Sequence, residues 1–195
     1  MKKSTNHLKI VFNAPVTLTF VFICIIVQAL NTLTAGAIQP VFTCYFADNP
    51  LSPVTWFHYV SFCVGHTSWQ HLLGNMSYIL LLGPLIEEKY GSIDTILIML
   101  ISAVSTGIIG HFLFLSSGVI GASGIVFTFI ILASITGTKS GIPLTMLIIA
   151  VLYLGTELRD DIFVQDNISH FGHLIGGCVG IALGLFLRKD KNGET

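Results

Sequence analysis

Read for apolar runs, the chain falls into six long stretches, at about 14–36, 70–86, 93–115, 122–137, 141–157 and 169–187, separated by short polar breaks. Each is near the roughly 20 residues that an α-helix needs to cross a hydrocarbon core about 30 Å thick. The pattern predicts six transmembrane helices. The first run follows Lys2, Lys3 and Lys9 and in that respect resembles a secretory leader. It is too long for one, and five more runs follow it.

Composition agrees with a lipid environment. Of 195 residues 53% are hydrophobic and 10% charged, against roughly 25% charged in ordinary soluble domains. No Pro, Gly or Ser-rich linker divides the chain, so residues 1–195 are expected to form a single membrane domain. Charge placement orients it. With a cytoplasmic N-terminus, Lys2, Lys3, Lys9, Lys89, Lys139, Arg188, Lys189 and Lys191 all fall on the cytoplasmic side, eight of the nine basic residues. The exception, Arg159, shares a loop with Glu157, Asp160, Asp161 and Asp166. The positive-inside rule therefore predicts that both termini are cytoplasmic.

The remaining chemistry classes thin out quickly. Cys24, Cys44, Cys63 and Cys178 have neither metal-ligand spacing nor a paired framework, and read as apolar filler or free thiols. There is no basic stripe with interleaved aromatics, so nucleic acid is not an expected partner. No Gly-rich phosphate loop follows a strand.

In the predicted topology the second, fourth and sixth spans all run inward from the outer face, and their outer ends carry the unusual polar residues. The second opens with His71 and Asn75, one turn apart on one helix face. The fourth opens with Gly121-Ala122-Ser123-Gly124, and the sixth with His170-Phe171-Gly172-His173 followed by Gly176, Gly177, Gly180 and Gly184. The fourth run is short, about 24 Å at 1.5 Å per residue, so Ser123 is expected some way inside the membrane. A polar cluster at that depth must face the bundle interior or a water-filled cavity, here one opening outward.

Gly176, Gly180 and Gly184 form a small-xxx-small stripe that lets another helix approach closely. On a helical wheel His173 lies within about 20° of Gly180 and Gly184. It points toward the partner helix, for which the stripped surface at Gly121 and Gly124 is the natural match. His170 lies about 80° from Gly180 and is the less direct choice, although a one-turn shift would put it in the same place. A serine next to an imidazole base is a nucleophile for acyl transfer. No acidic residue sits within a span at this depth, which makes a Ser-His pair a better expectation than a Ser-His-Asp triad. The backbone N–H at the start of the fourth span, with side chains of His71 and Asn75, would supply oxyanion donors.

These pieces in this order resemble the rhomboid family of intramembrane serine proteases: His71-x-x-x-Asn75, Glu87 shortly before Gly91, Gly121-x-Ser123-Gly124, and His173-x-x-Gly176-x-x-x-Gly180. Taken singly, Gly-x-Ser-Gly is a weak motif; the ordered set in a six-span frame is specific. The resemblance covers about residues 10–188 and implies an all-α, six-helix, rhomboid-like bundle of the bacterial type in the cell membrane. It implies Ser123 as nucleophile, His173 as general base and later acid, and His71 and Asn75 as oxyanion-stabilising residues. Gly121, Gly124, Phe127, His170, Gly176 and Gly180 would line the cavity or pack its helices. The implied partners are the lipid bilayer and transmembrane segments of other proteins, cut near their outer ends, and no metal or organic cofactor is implied. Loops 116–120 and 160–167 would border the entrance.

Two positions depart from the family pattern. The first outer loop often carries a Trp-Arg pair, where this chain has Trp56-Phe57-His58-Tyr59, so the loop's usual anchoring is in question. Phe127 stands where tyrosine is common, keeping the packing surface for the base without a hydroxyl. His66 and His111 are expected to be structural hydrogen-bond partners, and Glu87 a loop ion pair or helix cap. Two other readings of the polar cluster are a catalytically silent rhomboid-like binder and a small transporter. A transporter usually has a midplane site and repeat symmetry, and neither is evident in the sequence.

Overall fold

The computed structural model describes residues 11–113, 118–135, 144, 145, 147, 148, 151 and 170–189. The readings made at Lys2, Lys3, Lys9, Lys139, Arg159 and Lys191, on loop 160–167 and on most of 141–157 lie outside them, as does the His170 side chain. Helices α1 (Pro15–Leu33), α3 (Trp69–Tyr90), α4 (Ser92–Leu113), α5 (Ser123–Ile135) and α6 (His170–Lys189) occupy apolar stretches, and a short α2 (Pro53–Ser61) lies between α1 and α3. Both α1 and α4 are long and apolar enough to cross a bilayer. Two-residue strands β1 (Cys44–Tyr45) and β2 (Gly118–Val119) pair antiparallel, Cys44 opposite Val119.

The bundle turns its apolar side chains outward. On α1, Phe22, Ile26, Leu30 and Leu33 are exposed, whereas Thr17, Gln28 and Asn31 are buried with Val21, Cys24 and Val27. The same holds for Leu81 on α3, Ile93 and Ile101 on α4, and Phe186 on α6. Such a surface suits hydrocarbon, where polar groups are the ones that must be hidden. At the centre stands α5, whose residues 124–129 are all buried. It packs most extensively on α6 and also touches α3 and α4.

At the end of the bundle remote from Ser123, one carboxylate joins three helices. Glu87, 6% exposed near the C-terminus of α3, accepts the backbone N–H groups of Val16 and Thr17 at 3.0 Å each. It also accepts the Thr17 hydroxyl at 3.0 Å and the Ser92 hydroxyl at 2.7 Å. The first turn of α1 begins with Pro15, which suits that position because the missing N–H would have had no helical acceptor. The following amides would be orphans, and a carboxylate is the natural partner for that positive helix end. Glu87 is therefore a cap. Beyond it Gly91, at φ 87°, turns the chain into α4 within one residue.

The segment between α1 and α3 is a built structure. Ala35 at φ 49° and Gly36 at φ 88° end α1. Ser52 caps α2, accepting from Val54 N–H at 3.3 Å, with Pro53 as the first helical residue. A sequence signal was present in that Ser-Pro start. The loop anchoring left in question by the missing Trp-Arg pair is made by other contacts. Tyr59 packs on Gly107 and Phe46 on Gly110, where α4 has no side chain to obstruct them. His58 pairs with Asp48 at 3.6 Å, and Ser61 donates to the Val41 carbonyl at 3.1 Å.

Removing the Glu87 cap leaves the Val16 and Thr17 amides without their carboxylate. Glu87→Ala is expected to destabilise the fold by about 2–4 kcal/mol. The check is a fall in thermal unfolding temperature in detergent relative to the parent, with Glu88→Ala at the neighbouring position nearly neutral.

Candidate active site

Three helix N-termini, those of α3, α5 and α6, carry the chemistry-bearing residues. Ser123 is the first residue of α5 and is half-buried. The turn before it requires glycine. Gly121 has φ 123°, a region side chains rarely adopt, and its N–H donates to the Phe62 carbonyl at 2.9 Å. A β-carbon there would lie 2.7 Å from His71 Cε1, 2.8 Å from His71 Nε2 and 3.6 Å from Asn75 Nδ2. The missing side chain is thus the space into which the His71 ring and the Asn75 amide fit. Both face the turn that delivers Ser123.

The start of α3 is held by hydroxyls. Ser68 caps it, accepting the His71 N–H at 3.1 Å, while Thr67 Oγ1 lies 3.2 Å from His71 Nδ1. The His66 ring meets the His71 ring edge-on at 5.0 Å. One turn on, Asn75 is buried, and its Nδ2 has no hydrogen-bond partner among the described residues.

The approach of α6 to α5 is set by the absence of side chains. A β-carbon on Gly176 would collide with the Gly124 backbone, one on Gly180 would lie 2.8 Å from Ile131 Cβ and 3.0 Å from the Thr128 carbonyl, and one on Gly184 would collide with Ile135. One hydroxyl ties three helices there. Thr128 Oγ1 lies 2.8 Å from the Gly176 carbonyl, 3.0 Å from the Gly124 carbonyl and 2.9 Å from Ser102 Oγ. Its single proton serves the carbonyls, leaving a lone pair for the Ser102 hydroxyl.

With the backbones this close, His173 in the first turn of α6 lies on Phe127, one turn beyond Ser123. The two rings stack with centroids 4.6 Å apart and planes 13° from parallel. The same helix start puts the Gly172 carbonyl 3.2 Å from where a β-carbon of Gly124 would be. His71 and His173 are close enough to interact electrostatically. The Ser123 hydroxyl makes no hydrogen bond among the described residues.

Two further histidines beside the site are held mainly by packing. His66 and His111 are both buried; the Val64 backbone is within reach of the His66 ring, while Nδ1 of His111 has no hydrogen-bond partner among the described residues. They work as packed rings. His111 stands edge-on to Tyr59 at 6.3 Å, and His66 supports His71. Burial and the neighbouring His71 hold His66 down to about 4, so it is neutral at physiological pH. Cys24, Cys44 and Cys63 are buried free thiols, and Cys178 is exposed. Among the described residues no group of His, Cys, Asp and Glu is arranged to hold a metal ion.

A family model, the Rhomboid domain, matches residues 53–190, from the first residue of α2 through α6. The chain belongs to the rhomboid family. It is a predominantly helical membrane protein, and its family consists mostly of serine proteases that act on membrane-protein substrates within the bilayer. Comparison with curated proteins returns no match. In this rhomboid the matched region holds Ser123, His173, His71 and Asn75, whereas α1 lies outside it and is joined through Glu87.

Because the folded value of His66 is depressed from 6.5 to about 4, the unfolded chain binds the extra proton first. Stability from the neutral ring is fully present above pH 6.5 and is lost as pH falls toward 4. Unfolding temperature is expected to drop across that window, and His66→Phe is expected to flatten the slope between about pH 5 and 6.5, above most carboxylate titrations.

Proposed function

We propose that the protein is an intramembrane serine endopeptidase that cleaves transmembrane segments of other membrane proteins. What supports this reading is that the His173 ring stacks on Phe127, one helical turn beyond Ser123, and that His71 and Asn75 face the Gly121 turn that leads into Ser123. In the proposed arrangement the six apolar stretches span the cell membrane with both termini cytoplasmic. The site then lies in the outer leaflet and opens outward.

Each group has one task in each half of the reaction. Ser123 Oγ attacks the scissile carbonyl carbon while His173 takes the hydroxyl proton. The carbonyl oxygen becomes an oxyanion, received by the Ser123 N–H at the positive end of α5 and by the His71 and Asn75 side chains. On collapse the C–N bond breaks, and His173 gives its proton to the departing amine. Water then attacks the acyl-enzyme, His173 takes one of its protons, and the Ser123 oxygen leaves with that proton. The products are a carboxylate and a free serine. Donors placed before the charge develops contribute most in a water-poor site.

Purified protein in liposomes with a single-span substrate tests the reading. Ser123→Ala is expected to abolish cleavage, and His173→Ala to lower it by about 10³-fold or more. Asn75→Ala and His71→Ala should each lower kcat by about 10 to 10³-fold. Cleavage that survives Ser123→Ala sinks the mechanism. Loss with His170→Ala but not with His173→Ala would move the base to His170. A fluorophosphonate that labels parent protein but not Ser123→Ala separates an enzyme from a silent binder.

A further inference from the structure

We propose that Thr67 is a positioning residue that fixes the tautomer of His71, acting through its hydroxyl on Nδ1 so that Nε2 carries the proton facing the Ser123 turn. The inference rests on the oxyanion role proposed for His71.

The geometry divides the two ring nitrogens of His71 cleanly. Nε2 lies at the Gly121 turn, 2.8 Å from where a β-carbon would be. Nδ1, joined to Nε2 through Cε1, lies 3.2 Å from Thr67 Oγ1. A neutral imidazole has one N–H and one lone pair, so whatever holds Nδ1 decides what Nε2 presents. A hydroxyl can donate or accept, and the sense is settled at the other nitrogen. With the proton on Nδ1, Nε2 would aim a lone pair at the developing negative charge. With the proton on Nε2, Nδ1 is the acceptor and Thr67 donates to it. Only the second arrangement stabilises an oxyanion.

Thr67 is exposed, so water competes for Nδ1, and the advantage of the hydroxyl is its fixed placement. Ser68, the next residue, caps α3 through the His71 backbone N–H at 3.1 Å. Two successive hydroxyls therefore hold one histidine, one at its backbone and one at its ring. The edge contact of His66 restricts the ring from another side. The His71 ring is thereby positioned before substrate arrives.

The test pairs kinetics with a readout independent of activity. Thr67→Val replaces the hydroxyl with a methyl group at an exposed site, leaving the unfolding temperature unchanged. Its kcat on the single-span substrate is expected to fall about fivefold with KM within about twofold, and Thr67→Ser to restore the parent value. In Ser123→Ala protein carrying ¹⁵N-histidine, the His71 signals, assigned by their loss in His71→Gln, should show Nδ1 as the unprotonated acceptor. That signature should shift on adding Thr67→Val. A proton on Nδ1 in the Thr67 protein, or a Thr67→Val enzyme with unchanged kcat, overturns the proposal. Should Ser123→Ala retain cleavage, the protease reading fails, while the nitrogen signals still decide the tautomer.

Discussion

The contact on which the rest of the site depends is made where two helices have no side chains. Gly176 of α6 rests against the backbone of Gly124 in α5, and Gly180 rests against Thr128 and Ile131. In lipid, helices gain little from burying apolar surface against one another, because the solvent is already apolar. Close van der Waals approach and hydrogen bonds must hold them. The glycines permit the approach, and Thr128, beside carbonyls of both helices and the Ser102 hydroxyl, adds the hydrogen bonds. The depth of α6 against α5 is thereby set, and with it the height of His173 relative to Ser123. A β-carbon at Gly176 would separate the backbones and carry His173 away from Phe127.

A second polar fastening sits at the far end, where Glu87 joins α1, α3 and the start of α4. At the end bearing Ser123, α1 is tied to α3 by the Trp69 indole donating to Thr32 at 3.1 Å. Between these points the α1 face toward the bundle carries Thr17, Gln28 and Asn31 among its buried residues. This is the inverse of a soluble helix, whose polar residues face out. The α1–α3 pair is held at its two ends by the Glu87 and Trp69 contacts while its apolar sides meet lipid.

Much of the helical frame is legible in the sequence because one physical rule governs it: backbone in hydrocarbon must satisfy its own hydrogen bonds, so long apolar runs become helices. The orientation of α6 is legible for a related reason. Glycine spacing records which face is approached, and His173 lies on Phe127 as that spacing indicates. The α1–α3 segment is harder to read, because its structure is made of single contacts: Tyr59 on Gly107, Phe46 on Gly110, Gly121 N–H on the Phe62 carbonyl. None has a period. Histidine roles are equally hidden. His111 looks like a hydrogen-bonding residue by type, yet its Nδ1 has no partner among the described residues and its ring stands edge-on to Tyr59.

Asn75 shows what the proposed chemistry demands of the resting fold. A buried amide nitrogen without a partner costs about 1–3 kcal/mol, and Nδ2 of Asn75 is such a group among the described residues. Buried Gln28 Oε1 and Asn31 Oδ1 are unpartnered among the described residues too, so what sets Asn75 apart is its place beside the Gly121 turn. In the proposed oxyanion hole a free donor is useful there, since a donor already satisfied must break a bond before it can serve the transition state. The cost is local and tolerable because Glu87 at one end and the glycine contact at the other hold the bundle independently of it. The α3 backbone carrying Asn75 and the hydroxyl-held His71 therefore stays in place, with the unpartnered amide at the turn that delivers Ser123.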